Sequence, residues 1–160
     1  MSKSQVNTLF AYQWHTTRRL MACAAGLDEG AYFENPGYGH GSIHDLLFHL
    51  LRTDSAWRLA LETGSQLSPL RQEEFPDLAS LQAVLEQEQQ AWQALLDGLG
   101  DEEIEGAIDL TNWRGDIVTF QRWRILQHLV LHGMQHHAEL AQLLTAKGQS
   151  PGNIDFLFYS

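Results

Sequence analysis

The chain has 160 residues, 44% of them hydrophobic, and carries a formal net charge of −10. This length and composition predict one domain over residues 1–160 with a core of its own, and the acidic balance argues against nucleic acid or an anionic membrane surface as a partner. Because Cys23 is the single cysteine, an internal disulfide and a cysteine-built zinc site are excluded.

The N-terminal end is polar and leads into the first predicted helix. Apolar residues from about Gln5 to Gly26 recur every three or four positions, which predicts an amphipathic helix. Neither this end nor any other stretch has an apolar run of membrane-spanning length, so we expect no export signal, no membrane partner and a cytoplasmic location. Residues 35–41 hold a proline and three glycines and form a loop.

The second predicted helix follows this loop. Ser42 and Asp45 have the spacing of a capping box, so the helix begins there, and residues 62–64 end it. His49 lies beside the apolar stripe of this helix, next to small residues that let another helix approach closely. Residues Ser65–Asp77 contain two prolines and form a linker.

The third predicted helix spans Leu78–Leu99, with an apolar stripe that steps by three and four. Glu88 interrupts the stripe. A carboxylate at such a position either reaches solvent at the edge of a bundle or meets a polar partner inside, and the edge is the simpler interpretation.

A hairpin-like crossover and a long fourth helix complete the fold. Partial alternation in residues 108–113 and 117–120, around the turn residues 114–116, predicts a short hairpin. Helical periodicity then returns from about Phe120 to Lys147, with Gly148 as its stop. The fold class is therefore all-α, an antiparallel four-helix bundle with a short hairpin-like crossover between helices three and four.

The C-terminal tail, Asn153–Tyr159, is too apolar to be loose. We expect it to pack back on the bundle or against a partner. Exposed aromatic residues at the end of a long bundle also favour a homodimer through helix faces.

Four of the eight histidines fall within residues 127–137. His128, His132 and His136 are four residues apart and share one helix face, where two imidazoles one turn apart can bind one metal ion. A second element must supply the remaining ligand, and His49 is the candidate because it lies well inside helix two.

The alternative is that these are ordinary packed histidines. His40 and His44, in the loop and the first helical turn, are interpreted as solvated or capping.

Three sequence blocks resemble the DinB-like family, the DinB/YfiT superfamily of four-helix bundles. They are residues 9–20, residues 42–51 with Asp54 and Trp57, and residues 131–140 before Gly148, Pro151 and Asp155. The resemblance implies a metal triad of His49, His132 and His136. The family commonly has His-Arg-Gly-Gln where this chain has residues 136–139, His-His-Ala-Glu. The departure leaves the triad intact and removes the arginine and glutamine.

The resemblance also implies a function. Some members of the superfamily are metal-dependent transferases that use a small thiol, so we expect a thiol S-transferase or hydrolase with a small-molecule substrate. Three imidazoles suit zinc or nickel first, with iron and copper as alternatives, and a low-molecular-weight thiol is the expected co-reactant. The alternative is a non-catalytic metal-binding or stress-response protein, whose site a fourth ligand such as Glu88, His128 or Asp155 would close. His128 and His137 are assigned supporting or structural roles.

Overall fold

Four long helices form a bundle in the computed structural model, which describes residues 1–67 and 70–159. The long helices are α1 (Lys3–Ala24), α3 (Ile43–Thr63), α4 (Leu78–Gly98) and α6 (Arg122–Ala146). The shorter elements are α2 (Glu29–Phe33), α5 (Asp101–Glu105), β1 (Ala107–Thr111), β2 (Ile117–Gln121) and the 3-10 turns Gln72–Glu74 and Phe156–Phe158. The predicted all-α four-helix bundle is confirmed.

The start and end of α3 follow from local chemistry. Ser42 Oγ accepts a hydrogen bond from the Asp45 N–H (3.1 Å), and the Asp45 carboxylate accepts one from the Ser42 N–H (2.8 Å). These bonds satisfy N–H groups that have no partner inside the helix, which confirms the predicted capping box. Gly64 ends the helix at φ +75°, a left-handed conformation that glycine adopts without steric cost.

Contacts along α1 define the direction of its neighbours. Thr17 lies 2.8 Å from His137, and Tyr12, earlier in α1, contacts Met134, earlier in α6, so α1 and α6 run in the same direction. Against α4 the order is reversed: Phe10 packs on Trp92, whereas Arg18 pairs with Glu86.

The same reasoning places α3. His49 meets His132, and Trp57, two turns later in α3, meets His128, one turn earlier in α6, so these helices are antiparallel. Since α1 is parallel to α6 and antiparallel to α4, α3 and α4 must run the same way. The bundle therefore contains two parallel pairs, α1 with α6 and α3 with α4, where the sequence interpretation expected antiparallel packing. The chain between α3 and α4 therefore has to return along the length of the bundle, which explains its extent. Ser68 and Pro69 of this linker lie outside the described residues.

The predicted hairpin is present between α5 and α6. Strands β1 and β2 pair antiparallel, with Asp109 opposite Thr119. In the turn, the Asn112 side-chain oxygen accepts hydrogen bonds from the Arg114 and Asp116 N–H groups, each at 2.9 Å. The asparagine side chain thus replaces backbone partners in the tight connection.

The interior of the bundle contains charged groups as well as apolar ones. Glu88 forms a two-pronged ion pair with Arg58 (2.8 and 2.9 Å), and each side chain is only 12% exposed. Glu88 is therefore held by a polar partner, and its interpretation as a solvated edge residue is wrong. Asp54 is buried and accepts hydrogen bonds from the Gln13 amide at 3.2 and 3.3 Å, while Trp92 donates to the Asp54 carbonyl.

The tail packs back on the bundle in part. The Tyr12 hydroxyl donates to the Ile154 carbonyl at 2.5 Å, and the Tyr12 ring contacts those of Phe156 and Tyr159. Leu157 and Phe158 point outward, at 83% and 69% exposure. Among the described residues, no helix has the length and apolar character needed to cross a membrane.

Candidate metal centre

Three histidine side chains meet where α3 crosses α6. Nε2 of His132 lies 3.1 Å from Nε2 of His49 and 3.1 Å from Nε2 of His136. His132 and His136 are one turn apart on α6, and His49 faces them because α3 is antiparallel to α6 and packed against it. The structure thus brings together the three residues assigned to the triad.

Each of these two distances fits a pair of ligands on one metal ion. Two imidazole nitrogens that each lie about 2.1 Å from the same ion, at an angle of about 95°, are about 3.1 Å apart. A set of neutral imidazoles explains the same spacing less well, because each contact between two ring nitrogens requires one donor and one acceptor. The donor set and these two distances therefore suit a divalent metal ion.

Burial keeps the imidazoles of His49 and His132 neutral at pH 7. Burial, and after it the charge of the neighbouring histidines, lowers the pKa of both His49 and His132 to about 4. Only the neutral ring has a lone pair for a metal. Both side chains are consequently in the protonation state that binds metal, without a proton having to be removed.

Glu139 orients His136. One of its carboxylate oxygens lies 2.8 Å from Nδ1 of His136, so Nδ1 carries the proton and Nε2 presents its lone pair to the cluster. Partial burial acts to raise the pKa of Glu139, but its hydrogen bond with His136 and weaker contributions from other neighbours together lower the pKa. Glu139 therefore has a supporting role at the position of the family's glutamine, which the sequence motif alone did not assign.

His40 also belongs to the cluster. Its ring stacks on His49, with centroids 4.2 Å apart, and meets His136 edge-on at 4.7 Å. One nitrogen from each of His40, His49 and His136 lies within 4.8 Å of the other two. His40 is exposed, as expected for a loop residue, but it also contacts the cluster, which the sequence interpretation did not predict. Its signal in the sequence was a histidine between two glycines, just before the helix that bears His49.

The remaining histidines lie outside the cluster. His137 is fully buried, with Nε2 2.8 Å from Thr17 Oγ1, so it ties α6 to α1. His128 is exposed and packs against Trp57. His44 is buried, with Nδ1 3.1 Å from the Tyr32 hydroxyl, and is neither solvated nor part of the helix cap.

The fourth ligands considered from the sequence do not reach the site. Glu88 is paired with Arg58, and the His128 ring centroid is 5.8 Å from that of His132. Asp155 lies in the C-terminal tail beside α1. Among the described residues, the histidines whose nitrogens all lie within 4.8 Å of one another are His40, His49 and His136. His132 joins them through its 3.1 Å contacts with His49 and His136, whereas Glu88, His128 and Asp155 make no such contact.

A cavity of about 260 Å³ adjoins the cluster. His40, Tyr38 and Glu139 line it together with the apolar side chains of Leu46 and Leu143. A larger cleft of about 620 Å³ lies between the first turns of α1 and α6, and no histidine lines it. The smaller cavity therefore borders the cluster at His40.

Comparison with known proteins agrees with this fold. The family model described as DinB family matches residues 1–160. Among solved structures, YfiT from Bacillus subtilis, described as a probable metal-dependent hydrolase with an unusual four-helix bundle topology, has a TM-score of 0.65 at 18% identity. The match covers 92% of this chain and 90% of YfiT. A DinB-like protein from Bacillus subtilis, YjoA, has a TM-score of 0.62 at 16% identity, over 88% of this chain and 92% of that one. No curated protein sequence gave a significant match. The chain belongs to the DinB family.

Proposed function

We propose that this protein is a divalent-metal-dependent enzyme that activates a small nucleophile, water or a low-molecular-weight thiol, against a small-molecule substrate. The observation that carries the proposal is the convergence of the Nε2 atoms of His49 and His136 on that of His132, each at 3.1 Å. The description of YfiT as a probable metal-dependent hydrolase supports the same class of chemistry.

Each residue of the site has a task in this proposal. His49, His132 and His136 would hold the ion through Nε2. A divalent ion bound there supplies a Lewis acid that lowers the pKa of a water or thiol in contact with it. Glu139 holds His136 in the required tautomer through the 2.8 Å contact with Nδ1. Leu46 and Leu143 give the adjoining cavity an apolar wall suited to the body of a small substrate.

The thiol in an S-transferase reaction has to come from a co-substrate. Cys23 lies on α1, only half-buried, and does not belong to the histidine cluster. A borderline-soft ion held by imidazoles suits a thiolate as well as water. Hydrolase and small-thiol S-transferase are therefore the two forms of the proposal, and a non-catalytic metal-binding or stress-response role is its alternative.

Metal analysis tests the site itself. We expect about one zinc or nickel ion per wild-type chain, and loss of the metal in His49→Ala, His132→Ala and His136→Ala. The matched control is His128→Ala, which removes an exposed histidine from the same face of α6 and should keep its metal. Undiminished metal in all three triad variants would refute the assignment.

Turnover separates the proposed functions. The metal-loaded protein should be assayed with activated esters and amides for hydrolysis, and with an aryl halide plus cysteine, glutathione or bacillithiol for transfer. Activity that a chelator abolishes and His132→Ala lacks supports the enzyme. A metal-loaded protein with no activity above that of His132→Ala in either assay favours the non-catalytic alternative.

The remaining expectations concern partners and location. A net charge of −10 disfavours nucleic acid and anionic membranes, and we place the protein in the cytoplasm. We also propose a homodimer, since Leu157 and Phe158 face outward and the preceding residue, Phe156, lines the cleft between α1 and α6.

A further inference from the structure

We propose that His40 is an exchangeable fourth ligand of the metal centre: it closes the site in the resting protein and leaves when a small molecule in the adjoining cavity coordinates the ion. The inference rests on the proposed triad of His49, His132 and His136, and it assigns a role to a residue outside that triad.

The His40 ring lies close to two of the three proposed ligands. The ring stacks on His49 at 4.2 Å, and one of its nitrogens lies within 4.8 Å of a ring nitrogen of His49 and of a ring nitrogen of His136. Ligands of one ion are about 3 Å apart, so a shift of the loop side chain on the order of 2 Å would bring His40 to ligand spacing from these two residues. Among the described residues, the histidines with nitrogens all this close together are His40, His49 and His136. His40 is therefore the member of this group that lies outside the triad.

The exposure of the four side chains shows which one can leave. His136 is buried, His49 and His132 are half-buried, and His40 is exposed. The triad side chains are also fixed to long helices, whereas His40 lies in the loop before α3. His40 therefore covers the solvent side of the cluster, and its departure leaves the triad in place.

Glycines on both sides of His40 set the path of the loop. Gly41 adopts φ +93°, and a Cβ there would lie 2.6 Å from the Asp45 carboxylate, so only glycine lets the loop approach the start of α3 this closely. Gly39, at φ +65°, has open space around it. The loop is thus held close to the helix after His40 and unobstructed before it.

A small molecule in the adjoining cavity would compete with His40 for the metal ion. His40 lines the 260 Å³ cavity together with Tyr38, Leu46 and Leu143, and it is also in contact with the cluster. A small molecule with one donor atom, such as a thiol or carboxylate, would have to take the place of His40 to reach the ion. Access is then controlled by competition between His40 and the incoming donor.

Counting imidazoles on the ion tests the proposal. Protein stripped of metal is loaded with one equivalent of Co²⁺ and examined by X-ray absorption and visible spectroscopy. We expect four imidazoles in the wild type and three in His40→Ala, with a changed visible spectrum and the metal retained. His128→Ala, which removes another exposed histidine near the site, should keep the wild-type count and spectrum.

A competition experiment measures the exchange. If His40 occupies the fourth position nine-tenths of the time, an external ligand binds about tenfold more weakly than to the open site. Azide should therefore bind Co²⁺-loaded His40→Ala about tenfold more tightly than the wild type or His128→Ala. Three imidazoles in the wild type, or equal azide affinity in all three proteins, would overturn the role of His40 while leaving the triad standing. Failure of the wild type to bind Co²⁺ would overturn both.

Discussion

Removing the carboxylate of Glu139 should weaken metal binding without changing the ligand set. Its 2.8 Å contact with His136 Nδ1 fixes the ring tautomer, and loss of such an outer partner typically costs about 10- to 100-fold in metal affinity. The His136 side chain is 2% exposed, but that of Glu139 is 38% exposed, so water can partly replace the lost oxygen. We therefore expect the lower end of the range for Glu139→Ala, about tenfold or about 1.4 kcal/mol.

Competition with a chromophoric zinc chelator measures this loss on metal-free protein. Glu139→Gln keeps an acceptor oxygen without the charge, so its affinity should lie between those of wild type and Glu139→Ala. Glu86→Ala is the matched control, because Glu86 pairs with Arg18 on the surface, on a helix that contributes nothing to the cluster. The carboxylate does not support the site if Glu139→Ala binds metal as tightly as the wild type while His136→Ala loses its metal.

Three further predictions concern pH and assembly. Burial lowers the pKa of His49 and His132 to about 4, below the ordinary histidine pKa of about 6.5. Metal-free protein should therefore be most stable above pH 6.5 and lose stability as the pH falls toward 4. A urea unfolding midpoint that stays constant over this pH range would contradict this prediction. Burial raises the pKa of Asp54 to about 7, so its contribution to stability falls as the pH rises from about 4 to 7, by up to about 4 kcal/mol. The unfolding free energy of Asp54→Asn should lack this component, and an unchanged difference from wild type across that range would refute the assignment. If Leu157 and Phe158 lie in a homodimer interface, the wild type should sediment with twice the 18.1 kDa mass of one chain, and Leu157→Asp with the mass of one chain. A wild type that is monomeric at micromolar concentration would refute the dimer.

The sequence determined the four long helices and the hairpin, whereas the short helices α2 and α5 were not predicted. Apolar spacing and caps depend on residues within one or two turns, so α3 begins after Ser42 and ends before Gly64 as predicted. The turn residues between β1 and β2 act over a similarly short range. The four-residue spacing of His132 and His136 likewise settled their common helix face, because the helical period fixes it.

The tertiary structure decided which of these elements meet. His49 joins His132 only because α3 packs antiparallel against α6, a relation between segments 83 residues apart that no local pattern encodes. The same packing pairs Glu88 with Arg58 across α3 and α4, where the sequence favoured a solvated edge. His40 reaches the cluster through a glycine loop whose path depends on the start of α3. Local periodicity predicted two of the ligands as a pair, and long-range packing decided what surrounds them.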